Sequence, residues 1–232
     1  MRATTQAPAS ASERLCEKIE LLLPVQFAAG RRLFEHPRLA DLYAEYLVTM
    51  HGVIRASVPL MEAASARASE LRDDPVATGL VEYLAEHIPE EAEHDEWLLE
   101  DLELIGVGRK SVLERPPSPT VAALVGSQYY WILHYHPVTL LGYIAVLEGY
   151  PPDPTEVESL AGRSGLPPEA FRTLAAHAEL DQHHRDELLG AIDALPLSEA
   201  QERAIGVSGV YTVHMTARAL DEVCDRLGTS AD

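Results

Sequence analysis

Apolar residues recur at three- and four-residue intervals along nearly the whole chain, and no convincing run of strict alternation interrupts them. A repeat near 3.6 predicts helices and leaves no strand to assign. Proline and glycine clusters cut the pattern into about seven or eight segments. Ser12 can cap a first helix that runs to about Leu23, and Pro24 opens a second that ends before Pro37. A long helix follows from about Arg38 to Ala68, with Leu42, Tyr46, Met50, Val53 and Ile54 on one face. Asp73 or Asp74 caps a helix beginning at Pro75, a favoured first position, and running to Ile105 before Gly106 and Gly108. After the PPSP turn at 116–119, Ser118 or Thr120 starts a segment that Pro137 interrupts, because a proline drives the residue before it out of the α region. A helix from Pro137 to Glu148 ends at Gly149 and the PPDP turn, and a short one over 153–164 closes at Gly165. Pro167 and Pro168 open a helix ending near Leu195, and Ser198 caps the last, which runs to Leu227 before Gly228. The expected architecture is an all-α, single-domain bundle of seven to eight helices over residues 12–228, behind a disordered N-terminal tail of residues 1–11.

Composition narrows the function without choosing it. The 232 residues are 47% apolar, as in an ordinary globular domain. Lys and Arg number 18 against 37 Asp and Glu, a net charge of −19. Such an acidic surface argues against nucleic acid and against anionic membranes. Lys18 and Lys110 are the only lysines and fall near helix ends or loops, so a buried Schiff-base lysine is not expected. Cys16 and Cys224 follow no zinc or redox spacing and read as reduced thiols. The opening MRATTQAPASAS lacks the apolar core of a signal peptide, and the apolar stretch from Val138 to Leu147 is too short to span a bilayer. A cytoplasmic location is expected.

Two segments carry one ligand spelling. His87, Glu91 and His94 read H-x₃-E-x₂-H, and His177, Asp181 and His184 read H-x₃-D-x₂-H. Offsets of 0, 4 and 7 fall within a narrow stripe of one helix. Imidazole with carboxylate suits iron, manganese or zinc better than calcium or magnesium. The second triplet lies in AAHAELDQHHRDELL, free of Pro and Gly, and shares its face with Leu174 and Leu188. An ionised Asp181 on such a face is costly unless paired or metal-bound. A solvated face with incidental histidines suits His183, Arg185 and Asp186 instead. In the first triplet, Pro89 threatens to take His87 off the stripe, so Glu91 and His94 rank as ligands and His87 stands in reserve. Glu90 and Glu93 are expected to face water, and Trp97 to shield one side of the site. Glu148, a lone acid on the apolar segment LLGYIAVLEG, is the candidate bridging carboxylate; the alternative is that it reaches solvent from the helix end. Two irons held by these groups would keep open positions for dioxygen.

The order E-x₂-H, then an isolated Glu after GYIAVL, then H-x₃-D-x₂-H resembles the haem-oxygenase-like di-iron oxidases. The phrases HIPEEAEHDEWLLEDLELIG and YYWILHYHPVTLLGYIAVLEG strengthen the likeness, which covers roughly residues 35–225. The resemblance implies a haem-oxygenase-like seven-helix bundle, related in fold to thiaminase and the pyrroloquinoline quinone synthesis proteins. It implies metal ligands at His94, Glu148, His177, Asp181 and His184, with a Glu ahead of His94. Many relatives place that Glu seven residues before the His, where this chain has His87, so either Glu91 or His87 fills the role. It also implies two Fe cycling between Fe(II) and Fe(III), O2 as co-substrate, and a peroxo-type intermediate that oxidises a small metabolite (an amino acid, amine or fatty acid).

No catalytic side chain beyond the ligands stands out. Arg55, among Met50, Val53, Ile54 and Val58, is a candidate for gripping a substrate carboxylate or for pairing with a surface acid. Tyr129, Tyr130, Trp131, His134 and His136 precede the Pro137 break, and Tyr130 and His134 are the candidates among them for lining a pocket. His51 and His214 read as structural. The expected partners are a small-molecule substrate and an external reductant, with a homodimer unsurprising. Three rivals remain. A ferritin-like centre would recruit Glu62 or Glu45 beside Glu91/His94, Glu148 and Asp181/His184. A haem enzyme of the same fold would use His51 as axial ligand. A non-catalytic bundle would sequester a metal or metabolite.

Overall fold

The first helix is capped two residues before the expected Ser12, by Ser10. In the computed structural model, which describes residues 8–226, the Glu13 backbone N–H donates to Ser10 Oγ and the Ser10 N–H to the Glu13 carboxylate. This reciprocal box satisfies two otherwise orphaned donors. Ser12 therefore lies inside α1 (Ala11–Glu20) and donates to Asp193, 2.7 Å away. Most of the expected tail, and the expected Leu227–Gly228 terminus, lie outside the described residues.

α2 (Leu23–Phe34) follows as expected, but the single long helix over 38–68 is two helices, α3 (Leu39–Ile54) and α4 (Ser57–Glu70). Pro59 is the cause. It has no N–H for the Arg55 carbonyl and its ring crowds that oxygen, so the backbone turns at Arg55 and Ala56. The helix expected over 75–105 is likewise divided, into α5 (Pro75–Glu91) and α6 (His94–Leu104). Pro89 is carried inside α5; the break lies at Ala92 and Glu93, and Glu93 takes a left-handed φ of 71°. A short α7 (Arg109–Leu113) precedes α8 (Pro119–His134), which Ser118 caps by accepting the Val121 N–H.

Pro137–Thr139 form a 3₁₀ turn that leads into α9 (Leu140–Leu147), with Glu148 at its C-cap. α10 (Pro154–Ser164) ends at left-handed Gly165. A second 3₁₀ turn, Pro168–Phe171, occupies the start expected for the next helix, so α11 spans Arg172–Ala194. α12 spans Glu199–Arg226. All described elements are helical, and none is long and apolar enough to cross a membrane.

α12 is the spine, packed against α1, α2, α3, α8 and α9. Leu60, Leu80, Leu84, Leu141, Ile144 and Val213 belong to one apolar cluster, and Tyr43, Leu47, Leu98, Leu102, Leu160 and Phe171 to another. α11 lies against α5, α6 and α9. α9 sits almost in contact with the α12 backbone: a Cβ on Gly142 would lie 2.1 Å from the Ile205 carbonyl oxygen and 2.7 Å from the Gly209 nitrogen. A second tie joins the starts of α5 and α9. The Val138 N–H donates to His136 Nδ1, so Nε2 carries the proton and donates to Asp74 Oδ2 at 3.0 Å. Asp74 also caps α5 by accepting the Val76 and Ala77 N–H groups. Burial alone would raise this carboxyl, but the bonds, led by that from His136, hold it below its ordinary value.

Gly142→Ala is expected to lower the unfolding free energy by about 3 kcal/mol, the upper end for overpacking, because the obstacle is backbone. Urea melts test this, and a loss below about 1 kcal/mol would show that α9 can move off α12 at little cost.

Candidate metal centre

The candidate ligands reach the interior from four pieces of backbone. His87 and Glu91 come from the end of α5, His94 opens α6, Glu148 closes α9, and His177, Asp181 and His184 line one stripe of α11. The break at Ala92 and Glu93 falls between Glu91 and His94, so those two do not share a helical face as their spacing suggests. The left-handed turn at Glu93 restarts the chain so that both still point inward. A non-glycine residue keeps such a backbone conformation only where its surroundings enforce it. His87, held in reserve because of Pro89, stays on the helix and belongs to the cluster.

The side chains interlock. His87 Nε2 lies 3.1 Å from Glu148 Oε2. Glu91 reaches two ways, with Oε2 3.3 Å from His94 Nδ1 and Oε1 3.5 Å from His184 Nδ1. The rings of His87 and His184 meet edge to face at 5.1 Å, and those of His94 and His177 at 4.9 Å. His177 Nδ1 donates to the Thr173 carbonyl at 2.8 Å, which leaves its Nε2 as the lone-pair donor. The Thr173 N–H in turn donates to buried Asp101. Trp97 packs on His94 at 4.2 Å, and Tyr83 stacks on His87 at 5.2 Å.

Glu90 corrects the expectation that it faces water only. Its side chain is exposed, yet its Oε2 lies 3.6 Å from His87 Nδ1 and 3.7 Å from His184 Nε2. Donor atoms of His87, Glu91 and Glu148 fall within 4.8 Å of one another, as do those of His87, Glu90 and His184.

Whether this set fits a metal is decided by its unpaired atoms. His87 is 2% exposed, Glu148 6% and Asp181 3%. His87 Nδ1, Glu91 Oε1, His94 Nδ1, Glu148 Oε2, Asp181 Oδ1 and His184 Nδ1 are buried with no hydrogen-bond partner. Buried polar atoms are nearly always satisfied, and buried acids are costly without compensation. Burial pushes Glu148 up to about 7, against the opposing pull of His87, and Asp181 up to about 8. Burial also lowers His177 and His184, keeping their imidazoles neutral and able to ligate. A cation held by His87, Glu91 and Glu148, or by His87, Glu90 and His184, whose donor atoms lie within 4.8 Å of one another, would relieve several of these atoms, and nitrogen with carboxylate oxygen is a donor set that suits iron. The residues present fit the group.

A cavity of about 150 Å³ opens beside the cluster. Tyr46, Leu47, Met50, Ile54, Met61, Leu98, Tyr143, Ile144 and Leu147 supply most of its lining, and Glu91, Glu148, His177 and Asp181 face it. The substrate-side expectations are corrected here. Arg55 is exposed at the α3–α4 turn, Tyr130 is 63% exposed, and His134 sits exposed beside it, ring to ring at 4.9 Å. None of the three lines the cavity. The periodicity places them on helices without saying which face the bundle covers. Ser57, Tyr143 and Thr173, which do line it, went unnoticed because isolated hydroxyls in apolar segments carry no motif.

The carboxylates a ferritin-like scheme needs do not converge either: Glu45 pairs with Arg115 at 2.7 Å, and Glu62 is exposed. His51 is buried away from the cavity lining, and His214 is exposed.

Helices gathered around a buried His–carboxylate cluster define a haem-oxygenase-like fold. A domain of unknown function with a haem oxygenase-like fold from Shewanella denitrificans OS217 superposes with a TM-score of 0.75, at 19% identity, covering 93% of this chain and 90% of that one. A CADD-like protein of unknown function from Nostoc punctiforme PCC 73102 gives 0.69 at 16% identity, over 93% and 97%. Haem oxygenase-1 from the cyanobacterium Synechocystis sp. PCC6803, in complex with haem, gives 0.64 at 14% identity, over 96% and 97%. At such identities the likeness is one of fold. No curated protein sequence matches the chain. The family model for iron-containing redox enzymes matches residues 44–215, and the chain belongs to that family.

The raised acids predict how the metal-free chain responds to pH. An unfolded carboxylate loses its proton near pH 4, about the model-peptide value. A folded one held up to about 7 or 8 keeps its proton longer, so stability falls as pH rises between the two values. His87, raised by its bond to Glu148 against the opposing effect of burial, acts in the same direction. The lowered His177 and His184 act oppositely, but only below the unfolded histidine value of about 6.5. Chelated protein is therefore expected to melt at a lower temperature at about pH 8 than at about pH 6.5, with Asp181→Asn flattening the slope. A Tm that climbs across that window would contradict the assigned burial.

Proposed function

We propose that this protein is an oxygen-dependent, non-haem di-iron oxidase or oxygenase acting on a small metabolite. The observation that carries this reading is the gathering of three buried acids and four imidazoles, several with unpaired donor atoms, beside an apolar cavity whose wall includes Glu91, Glu148, His177 and Asp181. His87, Glu91, His94, Glu148, His177, Asp181 and His184 would hold the metal. Glu91, whose two oxygens face His94 and His184, would ligate beside both. With two ferrous ions bound, the cluster would supply electrons for dioxygen activation and oxidation of an organic substrate.

The rest is done by the chain. The Thr173 carbonyl fixes the His177 tautomer and ring plane, and Asp101 fixes Thr173. Trp97 and Tyr83 cover His94 and His87 and keep water from them. The apolar cavity walls exclude solvent where the substrate is oxidised. This reading calls for a small-molecule substrate and an external reductant as partners.

Anaerobic titration with ferrous iron followed by oxygen is the test. Two irons per chain, with oxygen uptake that a substrate stimulates, are the expected outcome. His184→Ala should bind less iron and lose uptake while its far-ultraviolet circular dichroism stays as in the parent. Firm iron retention with no oxygen consumed would sink the proposal and favour storage.

A further inference from the structure

The cavity carries more information about its occupant than the metal cluster does. Its charged walls are all acidic, and these are the groups the cluster uses. Among the described residues, no Lys or Arg lines it. Away from any metal those acids hold, a buried substrate carboxylate would thus meet no counter-charge, a costly arrangement in an apolar cavity. Met50, Ile54 and Met61 provide flexible and branched apolar surface instead.

Besides the acids of the cluster, the hydroxyls of Tyr143, Tyr150 and Thr173 in the lining have no hydrogen-bond partner. Tyr143 is 1% exposed, and its hydroxyl has no hydrogen-bond partner. Ser57 lies alongside without closing a hydrogen bond of good geometry. Burial pushes the phenol well above its ordinary pKa despite Ser57, so it stays a neutral donor. The Thr173 hydroxyl, also buried and facing the cavity, is unpaired as well. Size sets the third limit. A cavity near 150 Å³ holds a group about as large as a benzene ring.

We propose that the cavity binds an uncharged, largely apolar group of about that size, oriented by a hydrogen bond to the Tyr143 hydroxyl. This rests on the reading of the adjoining cluster as the reaction centre only for its meaning as a substrate site. Binding itself requires no metal. The proposal selects for a neutral hydroxyl- or carbonyl-bearing aromatic or short alkyl moiety, and against a carboxylate held inside.

The test uses the full chain, metal-free, with methyl-labelled methionine, titrated with benzyl alcohol, toluene and benzoate. Benzyl alcohol is expected to shift the Met50 and Met61 methyl resonances and to leave that of Met215, which does not line the cavity. Benzoate should not shift them at comparable concentration. Tyr143→Phe should weaken benzyl alcohol roughly two- to tenfold, the worth of one neutral hydrogen bond, and leave toluene unchanged. Unmoved Met50 and Met61 methyls, benzoate binding as tightly as the alcohol, or an unchanged alcohol affinity in Tyr143→Phe would each overturn the proposal. Probe binding to the metal-free chain, with no oxygen uptake by the same protein once it is loaded with ferrous iron, would overturn the di-iron reading alone.

Discussion

Everything in this molecule is arranged around acids that cannot afford to stand alone. Glu91, Glu148 and Asp181 are buried together with imidazoles, and several of their donor atoms have no protein partner. In a low-dielectric interior such groups either hold a proton or neutralise a cation. The packing makes no attempt to relieve them with Lys or Arg. The nearest alternatives are histidines, which are themselves metal ligands. This unresolved charge separates the centre from a structural ion-pair network, where each acid would face a fixed cation.

The scaffold is correspondingly broken where the donors enter. Continuous helices would place ligands on long, parallel stripes, as in a four-helix centre. Here Pro59 ends α3 early, and Ile54 and Ser57 on either side of the turn both line the cavity. The left-handed backbone at Glu93 separates Glu91 from His94. Glu148 arrives on α9, seated by the Gly142 contact with α12 and by the His136–Asp74 hydrogen bond that ties its entry turn to α5. The donors are thus positioned by rigid packing behind them, and discontinuities in front aim them.

Centre and cavity divide the work. The acids and imidazoles form the candidate metal site, whereas the cavity beside them is otherwise apolar apart from a few hydroxyls. Membership of an iron-containing redox family agrees with the first half. The second half is built by side chains from α3, α4, α6 and α9 that share no motif.

Much of the site was legible in the linear chain. The H-x₃-D-x₂-H triplet lies in an uninterrupted helix, where spacing translates directly into a stripe, and Glu148 was conspicuous as a lone acid in an apolar run. Less legible was anything that depended on a turn. The H-x₃-E-x₂-H triplet looked weakest at Pro89, but the chain actually bends three residues later. The approach of Glu90 to His87 is an i,i+3 contact within α5, whereas its approach to His184 comes from the packing of α11 against α5. Arg55, Tyr130 and His134 looked apt for substrate, yet they face outward. Local patterning determined the helical class, the identity of the main donors and the acidic character, because these depend on residue type and on the 3.6-residue repeat alone. Tertiary structure decided which faces meet, which hydroxyls are left unpaired and how large the space between helices is, because those depend on contacts between segments tens of residues apart.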